Sequence, residues 1–251
     1  MDKKKLVVYT ALFGDYDSLN EPADNYDGCD FICFTDQKNL KSDIWEIKNI
    51  ESNNIPANIL NRYYKFKPHL FFSDYNSSLY IDSNIAIIKN PYDLKIKYLS
   101  NSDFLAPKHF LRDCIYEEAK ECIILKKYNT EEIILQLRKY KLAGMPQKFG
   151  LAENNIILRN HNKSAVINLM ELWWQEIQNM TKRDQLSLAY VLWSNDQKFN
   201  YMNESSRGND EYFRYLEHKK TMCDSVIAKI KNKIEFELRR YYFRYLGYEK
   251  I

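Results

Sequence analysis

Short apolar, often β-branched runs alternate along the chain with longer segments in which apolar residues recur every three or four positions. The short runs have the length and composition of buried strands and lie at 6–11, 30–36, 80–82, 85–88 and 156–160. The longer segments have helical spacing and lie at 55–72, 113–127, 130–143, 164–178 and 186–193. This alternation predicts an α/β fold with a mixed, mostly parallel sheet flanked by helices.

Acidic residues follow three of the predicted strands. Asp15 and Asp17 follow the first strand, Asp36 follows the second, and Asp82 follows the third. Ligands of open α/β sheets bind outside the carboxyl ends of the strands. The three exits therefore predict one crevice, although a polar turn at any single exit is ordinary.

The segment Asp82-Ser83-Asn84 interrupts an apolar, β-branched stretch. A carboxylate fits poorly in such a stretch unless it is paired or binds a cation. Oxygen-bearing side chains two residues apart can face one hard cation, and that cation can bridge a diphosphate. The alternative is an aspartate that only caps a turn at the end of a strand.

Basic residues offer further candidates for binding a diphosphate. Arg62 and Lys65 lie in the helix predicted over 55–72, where a solvated helix face is the simpler interpretation. His109 and Arg112 lie in the loop that follows the Asp82 strand, and a lone histidine is more often structural than a ligand. Asp184 is expected near a helix N-terminus, where the helix dipole favours an acid whatever its function.

Composition narrows the classes of protein. The chain has no G-x-G-x-x-G, P-loop or G-x-S-x-G motif, which argues against dinucleotide enzymes, Walker-type NTPases and α/β-hydrolases. Its five scattered cysteines form no C-x-x-C pair, so they predict reduced thiols in a cytosolic protein rather than zinc ligands. A formal net charge of +3 is too small to indicate a nucleic-acid partner.

The C-terminal segment is basic. Residues 219–251 contain nine Lys and Arg against four acids, a charge of +5, which leaves the preceding residues at −2. Residues 205–210 are predicted to link a domain at 1–204 to a helical tail at 211–251. Helical spacing puts one apolar stripe on the tail, with Phe236 and Phe243 opposite: Ile227, Ile230, Ile234, Leu238, Tyr241 and Tyr245.

Two interpretations of the tail remain open. Its apolar stripe could pack against the body of the protein. Its basic surface could also hold the protein weakly at an anionic membrane, the inner face of the cell membrane for a cytosolic protein, because each Lys or Arg near such a surface contributes about 1 kcal/mol. The two interpretations are compatible if the stripe faces inward and the basic residues face outward.

Six segments between residues 9 and 193 carry a resemblance to a known family. They are YTALFGDYD (9–17), DFICFTD (30–36), RYYKFKPHLFFSDYNSSLYIDSNI (62–85), RDCIYEEA (112–119), GLAENNIILRNHN (150–162) and RDQLSLAYVLW (183–193). In matching order, these resemble the glycosyltransferase-like domain family that includes plant proteins linked to pollen turgor and seed mucilage. More distantly, the chain is similar to GT-A enzymes of the glycogenin type.

The resemblance implies a GT-A-like fold and transfer of a sugar from a nucleotide-sugar, UDP- or GDP-linked, to a polysaccharide or glycolipid acceptor. Asp82 and Asn84 would hold Mn²⁺ or Mg²⁺ and, with Ser83, the diphosphate, although Asn84 stands where many GT-A enzymes have Asp. The implied nucleotide-binding residues are Thr10, Ala11, Phe13, Gly14, Asp15, Tyr16, Thr35 and Asp36. The residues expected near the donor sugar, the acceptor and the reacting centre are Glu153, Asn154, Asn155, Asp184 and Gln185.

Asp184 or Glu153 would serve as the base of an inverting reaction, or would steady the oxocarbenium-like state of a retaining one. Two other functions fit the same residues. One is a non-catalytic module that binds nucleotides or sugars, and the other is a metal-dependent diphosphate enzyme such as a nucleotidyltransferase.

Overall fold

Nine strands are present in the computed structural model, which describes residues 5–126, 128–219 and 226–245. The strands in chain order are β1 (Leu6–Leu12), β2 (Cys29–Thr35), β3 (Glu46–Asn49), β4 (Ser77–Ile81), β5 (Ile85–Ile87), β6 (Phe104–Pro107), β7 (Ile156–Arg159), β8 (Tyr201–Met202) and β9 (Phe213–Tyr215). The strands predicted from the sequence are therefore confirmed, whereas β3, β6, β8 and β9 are additional. All four are only two to four residues long and show too little alternation to be recognised.

Apart from α3, which was not predicted, the described helices lie in segments with the predicted helical spacing. They are α1 (Ala57–Phe66), α2 (Pro68–Phe71), α3 (Tyr92–Tyr98), α4 (Ile115–Ile124), α5 (Thr130–Leu142), α6 (Ser164–Asn179), α7 (Asp184–Ser194) and α8 (Val226–Tyr245). Pro68 divides the first predicted helix, because it has no N–H to donate and occupies the first position of α2. Asn129 begins α5 by accepting hydrogen bonds from the backbone of Glu131 and Glu132.

Seven strands form the central sheet in the order β3-β2-β1-β4-β7-β6-β8. The pairs β3–β2, β2–β1, β1–β4 and β6–β8 are parallel, and β7 is antiparallel to both of its neighbours. A second, two-stranded sheet joins β5 to β9 in antiparallel fashion. The predicted mixed, mostly parallel sheet flanked by helices is confirmed.

The core lies on both faces of β1. Val7 and Tyr9 belong to the cluster that α1 and α6 cover, whereas Leu6 and Val8 belong to the cluster that includes Leu94 of α3. Alternate side chains of a strand point to opposite faces, so a strand buried on both faces has the continuous apolar sequence seen here. The direction of β1 and β4 brings their carboxyl ends to the same edge of the sheet.

The predicted linker and domain boundary at 205–210 are wrong. Ser205 and Ser206 are buried, and β9 pairs with β5 while Phe213 is fully buried in the core. The backbone N–H of Leu216 also donates to the carbonyl oxygen of Asn84. Residues as far as His218 therefore belong to the body, because a three-residue strand at 213–215 completes its second sheet.

The described part of the apolar stripe of α8 does not face the body, which differs from the inward-facing arrangement. Ile234 and Leu238 are exposed, while Arg239 attaches the helix to the body by donating to the carbonyl oxygen of Ile124 at 3.2 Å. The predicted outward position of Phe236 is not observed, since this residue is half-buried. The side chains of Ile227, Ile230, Phe243 and Tyr245 lie outside the described residues. Within the described ranges, no helix has the length and apolar character needed to cross a membrane.

Candidate functional site

A cleft with two adjoining lobes opens at the carboxyl ends of β1 and β4. The first lobe has a volume of about 490 Å³ and is lined by the end of β1, one side of α1 and residues 82–84. The second lobe has a volume of about 410 Å³ and is lined by residues after β6, by α4, by 153–155 and by the start of α7. Both lobes are lined by Tyr16, Asp82, Asn84, Arg183, Asp184 and His218.

A buried lysine joins the two aspartates at the junction of the lobes. Lys65 Nζ lies 2.6 Å from Asp184 Oδ2 and 3.7 Å from Asp82 Oδ1. Tyr80 donates its hydroxyl to the same Asp82 oxygen at 2.8 Å, and the Lys65 ammonium lies 4.9 Å from the centre of the Tyr80 ring. The charged group of Lys65, Asp82 and Asp184 therefore connects three elements: α1, the end of β4 and the start of α7.

The electrostatic environment of Asp184 strongly favours its ionised form. Burial alone would raise the pKa of this carboxyl, but Lys65, Arg62 and Arg183 outweigh it and hold the pKa well below its usual value. The backbone N–H of Gln185, in the first turn of α7, also donates to Asp184 Oδ1 at 3.0 Å. Asp184 is consequently a poor proton acceptor and a stable negative charge.

Arg159 positions Lys65 from the face of the sheet that α1 covers. It is fully buried at the end of β7, contacts the Tyr9 hydroxyl and donates to the carbonyl oxygen of Lys65 at 2.7 Å. That carbonyl lies in the last turn of α1, where backbone oxygens have no partner within the helix. Arg159 thus fixes the end of the helix that carries Lys65.

Asn84 lines the cleft and also makes a hydrogen bond that holds the local structure. Its side-chain Nδ2 donates to the carbonyl oxygen of Leu216 at 3.0 Å, and the residue is buried. The amide oxygen is therefore the atom left for a cation. Among the described residues, no cluster of three or more His, Cys, Asp or Glu side chains is arranged to hold a metal ion. Asp82 and Asn84 fit a divalent cation only if a diphosphate and water supply the remaining oxygen ligands.

Glu118 organises the basic residues of the second lobe. Arg112 and Arg183 donate to its two carboxylate oxygens at 2.7 Å and 2.9 Å, and His109 lies 3.6 Å away. Burial opposes ionisation of Glu118, yet the two arginines lower its pKa below the usual value.

His109 has a structural role in the loop after β6, because it accepts hydrogen bonds from the backbone N–H groups of Leu111 and Arg112. Burial lowers the pKa of His109 to about 4, which makes it a neutral structural residue of the loop.

Residues 153–155 bring unsatisfied polar groups to the second lobe. Both side-chain oxygens of Glu153 and both polar atoms of the Asn154 side chain are buried without a hydrogen-bond partner. Arg207 lies 3.6 Å from Glu153, and this arginine and the Phe110 backbone lower the Glu153 pKa by less than burial raises it. Asn155 is held by its bond to the Ser206 hydroxyl, while its side-chain oxygen stays unpaired. Buried polar groups of this kind are usually paired, so a ligand with hydroxyl groups would complete them.

The loop after β1 reaches the cleft only in part. Ala11, Phe13 and Tyr16 line the first lobe, whereas Asp15 is exposed to solvent outside it. Asp36 accepts a hydrogen bond from the Gly14 N–H at 2.9 Å, so it shapes the loop, and Gly14 has the positive φ of 69° that this turn requires.

The predicted roles of Thr10 and Thr35 do not match their positions. Both are wholly buried inside the strands, and neither lines a lobe. Their side chains miss the cleft because adjacent positions of a strand face opposite sides of the sheet. The remaining candidates do reach the cleft: Arg62, Lys65 and Ser83 line the first lobe, and His109, Arg112, Asn154, Asn155 and Gln185 line the second.

Several lining residues were missed by reasoning from the sequence. His218 is held by Asp17, whose Oδ2 lies 2.6 Å from the ring Nδ1, and the centre of its ring lies 4.8 Å from that of Tyr16. Arg207 lies 4.2 Å from the centre of the Tyr215 ring at the mouth of the second lobe. Neither His218 nor Arg207 belongs to a motif with fixed spacing. Both are overlooked when residues 205–210 are interpreted as a linker.

Residues 1–207 match the sequence model described as "TOD1/MUCI70, glycosyltransferase-like domain". The chain is 26% identical over 217 residues to the "Probable hexosyltransferase MUCI70" of Arabidopsis thaliana, covering 74% of this chain. The alignment spans only 37% of the length of that relative.

Two solved structures align with the chain at low sequence identity. The WbbM bifunctional glycosyltransferase aligns with a TM-score of 0.48 and 13% identity, covering 96% of this chain and 45% of that one. The mannosyltransferase Ktr4p from S. cerevisiae aligns with a TM-score of 0.44 and 9% identity, covering 80% of this chain and 69% of that one.

Proposed function

Because the chain belongs to the TOD1/MUCI70 glycosyltransferase-like domain family, we propose that it transfers a sugar from a nucleotide-sugar to a polysaccharide or glycolipid acceptor. The name of the plant relative supports a hexose as the transferred sugar. A UDP- or GDP-linked donor would occupy the first lobe, with its sugar at the junction, and the acceptor would enter through the second lobe. Synthesis of a surface glycan is the process that such an acceptor suggests.

The observation that carries this proposal is the group formed by Asp82, Lys65 and Asp184 where the two lobes meet. Transfer of a glycosyl group creates negative charge on the leaving diphosphate and positive charge on the sugar ring. The Lys65 ammonium lies within 3.7 Å of a carboxylate oxygen of each aspartate, so positive and negative charges are close together. The side chains of Lys65 and Asp184 are also largely buried. Charges fixed in such a place stabilise a transition state without reorganising as it forms.

The basic side chains around the first lobe would bind the leaving diphosphate. Lys65 and Arg62 project from α1, and Arg183 precedes α7, so positive charge approaches from two elements. Asp82 and the Asn84 amide oxygen would hold a Mn²⁺ or Mg²⁺ ion shared with the diphosphate. When bound, that ion would supply further charge neutralisation of the leaving group.

The two candidate bases have opposite electrostatic environments. The pKa of Asp184 is lowered by its basic neighbours, whereas burial raises the pKa of Glu153. A carboxylate with a raised pKa accepts a proton more readily at neutral pH. We therefore assign Glu153 as the base if the reaction inverts the anomeric centre, and Asp184 as the charge that steadies the oxocarbenium-like state. Gln185 lines the second lobe beside Asp184 and would contact the donor sugar or the acceptor.

A screen of donors tests the proposal. Thermal unfolding is measured with UDP-, GDP-, CMP- and dTDP-sugars, each with Mn²⁺, with Mg²⁺ and with a chelator. We expect one nucleotide class to raise the unfolding temperature, because a ligand that binds only the folded state stabilises it by mass action. The same mixture is then followed by chromatography for slow release of the nucleoside diphosphate.

The screen also distinguishes the other functions. Stabilisation by a nucleotide-sugar without any turnover, even with glycan acceptors present, would indicate a binding module. Response to free nucleoside triphosphates with release of pyrophosphate would indicate a nucleotidyltransferase. Failure of every nucleotide to stabilise the protein would contradict the proposal.

A further inference from the structure

Helix α8 is attached to the body beside the second lobe. Arg239 bonds its own helix at Glu235 and donates to the carbonyl oxygen of Ile124, at the end of α4. The same α4 supplies Glu118 and Glu121 to the lining of the second lobe. A surface bound by α8 would therefore lie near the lobe that we assign to the acceptor.

The side of α8 away from this attachment is apolar at its centre. Ile234 and Leu238 are four residues apart, which places them on one helix face, and they are 56% and 64% exposed. At 100° per residue, Lys231 projects on one side of this pair, and the acid Glu237 projects on the other, followed farther round the helix by Lys233 and Arg240. All three basic residues are exposed. We call Lys231, Lys233, Ile234, Leu238 and Arg240 the α8 face.

The α8 face differs in charge from α5, which also carries two exposed leucines. Leu135 and Leu142 of α5 are 65% and 89% exposed, but Glu131 and Glu132 of that helix offset Arg138 and Lys141. On α8, the exposed charged side chains among the described residues are three basic residues and one acid, Glu237, which leaves an excess of positive charge beside the apolar pair. An exposed apolar centre with an excess of Lys and Arg is the pattern of a helix that lies in the interface of an anionic bilayer.

Two apolar side chains at the second lobe are also exposed. Leu125, directly after α4, is 39% exposed and lines this lobe, and Phe110 on the same lobe is 47% exposed. We propose that the α8 face binds an anionic lipid surface and thereby presents the second lobe to an acceptor sugar carried on a lipid. The acceptor part rests on the proposed function, whereas binding to the lipid surface does not.

A second copy of the chain fits the α8 face less well. A symmetric pairing of two such faces would bring three basic residues of each copy close to those of the other, and like charges oppose this contact. Anionic head groups, in contrast, attract each Lys and Arg near the surface. The occupant with complementary charge is therefore the lipid surface.

Sedimentation of the full chain with vesicles tests the inference. We expect it to bind vesicles of phosphatidylcholine mixed with phosphatidylglycerol at low salt, to ignore pure phosphatidylcholine, and to be released at high salt. The variants Ile234→Gln/Leu238→Gln and Lys231→Gln/Lys233→Gln should each lower the partition coefficient by about tenfold or more. The matched control Leu135→Gln/Leu142→Gln removes apolar side chains from α5 and should bind as the wild type does.

Three results would overturn the inference. One is a full chain that ignores anionic vesicles at low salt, and another is equal binding by the wild type and the two α8 variants. The third is a wild-type dimer that the Ile234→Gln/Leu238→Gln variant dissociates, because the face would then join two copies. Donor-induced stabilisation of the same variants separates the two proposals: donor binding without vesicle binding removes this inference alone, and vesicle binding without any nucleotide response removes the proposed function alone.

Discussion

The ammonium group of Lys65 lies 2.6 Å from the carboxylate of Asp184, although 119 residues separate them in the chain. Both side chains are largely buried, with 4% and 12% of their surfaces exposed. Ionised groups in such a place depend on each other, because neither can regain its water while the fold is intact. This pair therefore links the stability of α1 and α7 to the charge at the centre of the cleft.

Replacing Lys65 by Met should destabilise the protein strongly. The variant leaves Asp184 buried beside an apolar side chain, and breaking a buried pair in this way costs about 3–5 kcal/mol. Urea unfolding followed by circular dichroism measures the change. The double variant Lys65→Met/Asp184→Leu removes both charges and should recover most of the loss. Equal stabilities of the single variant and the wild type would mean that the pair does not form.

Replacing Asn84 by Asp should lower the free energy of unfolding by about 1–3 kcal/mol, since it removes a buried donor and turns a carboxylate oxygen toward the Leu216 carbonyl. From the sequence alone, the same substitution is expected to keep the fold and tighten binding of a cation. Chemical denaturation measures stability, and a Mn²⁺ titration of the folded variant measures affinity. Asn155→Asp is the control, because its partner, the Ser206 hydroxyl, can rotate to donate to a carboxylate. If both variants are as stable as the wild type, the hydrogen bond from Asn84 to Leu216 does not contribute to the stability of the fold.

Replacing Glu153 by Gln should leave stability unchanged or raise it by about 1 kcal/mol at neutral pH, while slowing sugar transfer. The pKa of Glu153 is raised by burial, so the folded state is penalised for its charge above that pKa and regains stability as pH falls through it. Thermal unfolding and donor turnover are measured on the same preparation. Glu121→Gln alters another acid of the same lobe and should affect neither quantity. Full activity of the Glu153 variant would exclude a base at this position.

The stability of the fold should fall as pH is lowered from about 6.5 toward 4. Burial lowers the pKa of both His109 and His161 from 6.5 to about 4, so between these values the unfolded chain binds protons that the folded chain does not. Each such proton contributes a slope of up to about 1.4 kcal/mol per pH unit. Denaturant titrations at several pH values measure this slope.

The variant His109→Asn/His161→Gln should give a flatter dependence over the same range. Asn can accept the backbone hydrogen bonds that His109 Nδ1 accepts, and Gln can donate to the Phe72 carbonyl as His161 does. Glu153 contributes with the opposite sign near its own pKa and is unchanged in both proteins. Identical slopes for variant and wild type would show that the two histidines do not determine the pH dependence.

Much of the sheet could be predicted because β1, β2, β4 and β7 are mainly apolar and are bounded by polar turns. The position of Asp82 followed from the same pattern, since a strand that ends in an acid places it at the carboxyl edge. The contact between Lys65 and Asp184 could not be predicted in this way. It depends on how α1 and α7 pack across the sheet, and hydrophobic periodicity carries no information about which polar side chains of two helices will meet.

The C-terminal part of the chain was predicted less well for a related reason. Ser205 and Gly208 suggest a linker by residue type. The buried Ser205 hydroxyl nevertheless accepts hydrogen bonds from the backbone N–H groups of 207, 208 and 209, which makes this segment a defined turn. The stripe of Ile234 and Leu238 was correctly placed on one helix face, but its direction relative to the body was not. That direction is set by the tertiary contact of Arg239 with α4, which no local pattern contains.

Calorimetric titration of the donor tests the central claim most directly. With the nucleotide-sugar identified by the screen and its preferred metal, the wild type should bind and Asp82→Ala should lose at least about tenfold in affinity, because the charge that meets metal and diphosphate is gone. Asp15→Ala, which removes an exposed acid of the same β1 exit outside the cleft, should bind as the wild type does. Unchanged affinity of the Asp82 variant, or equal losses in both variants, would contradict a donor site at the junction of the two lobes.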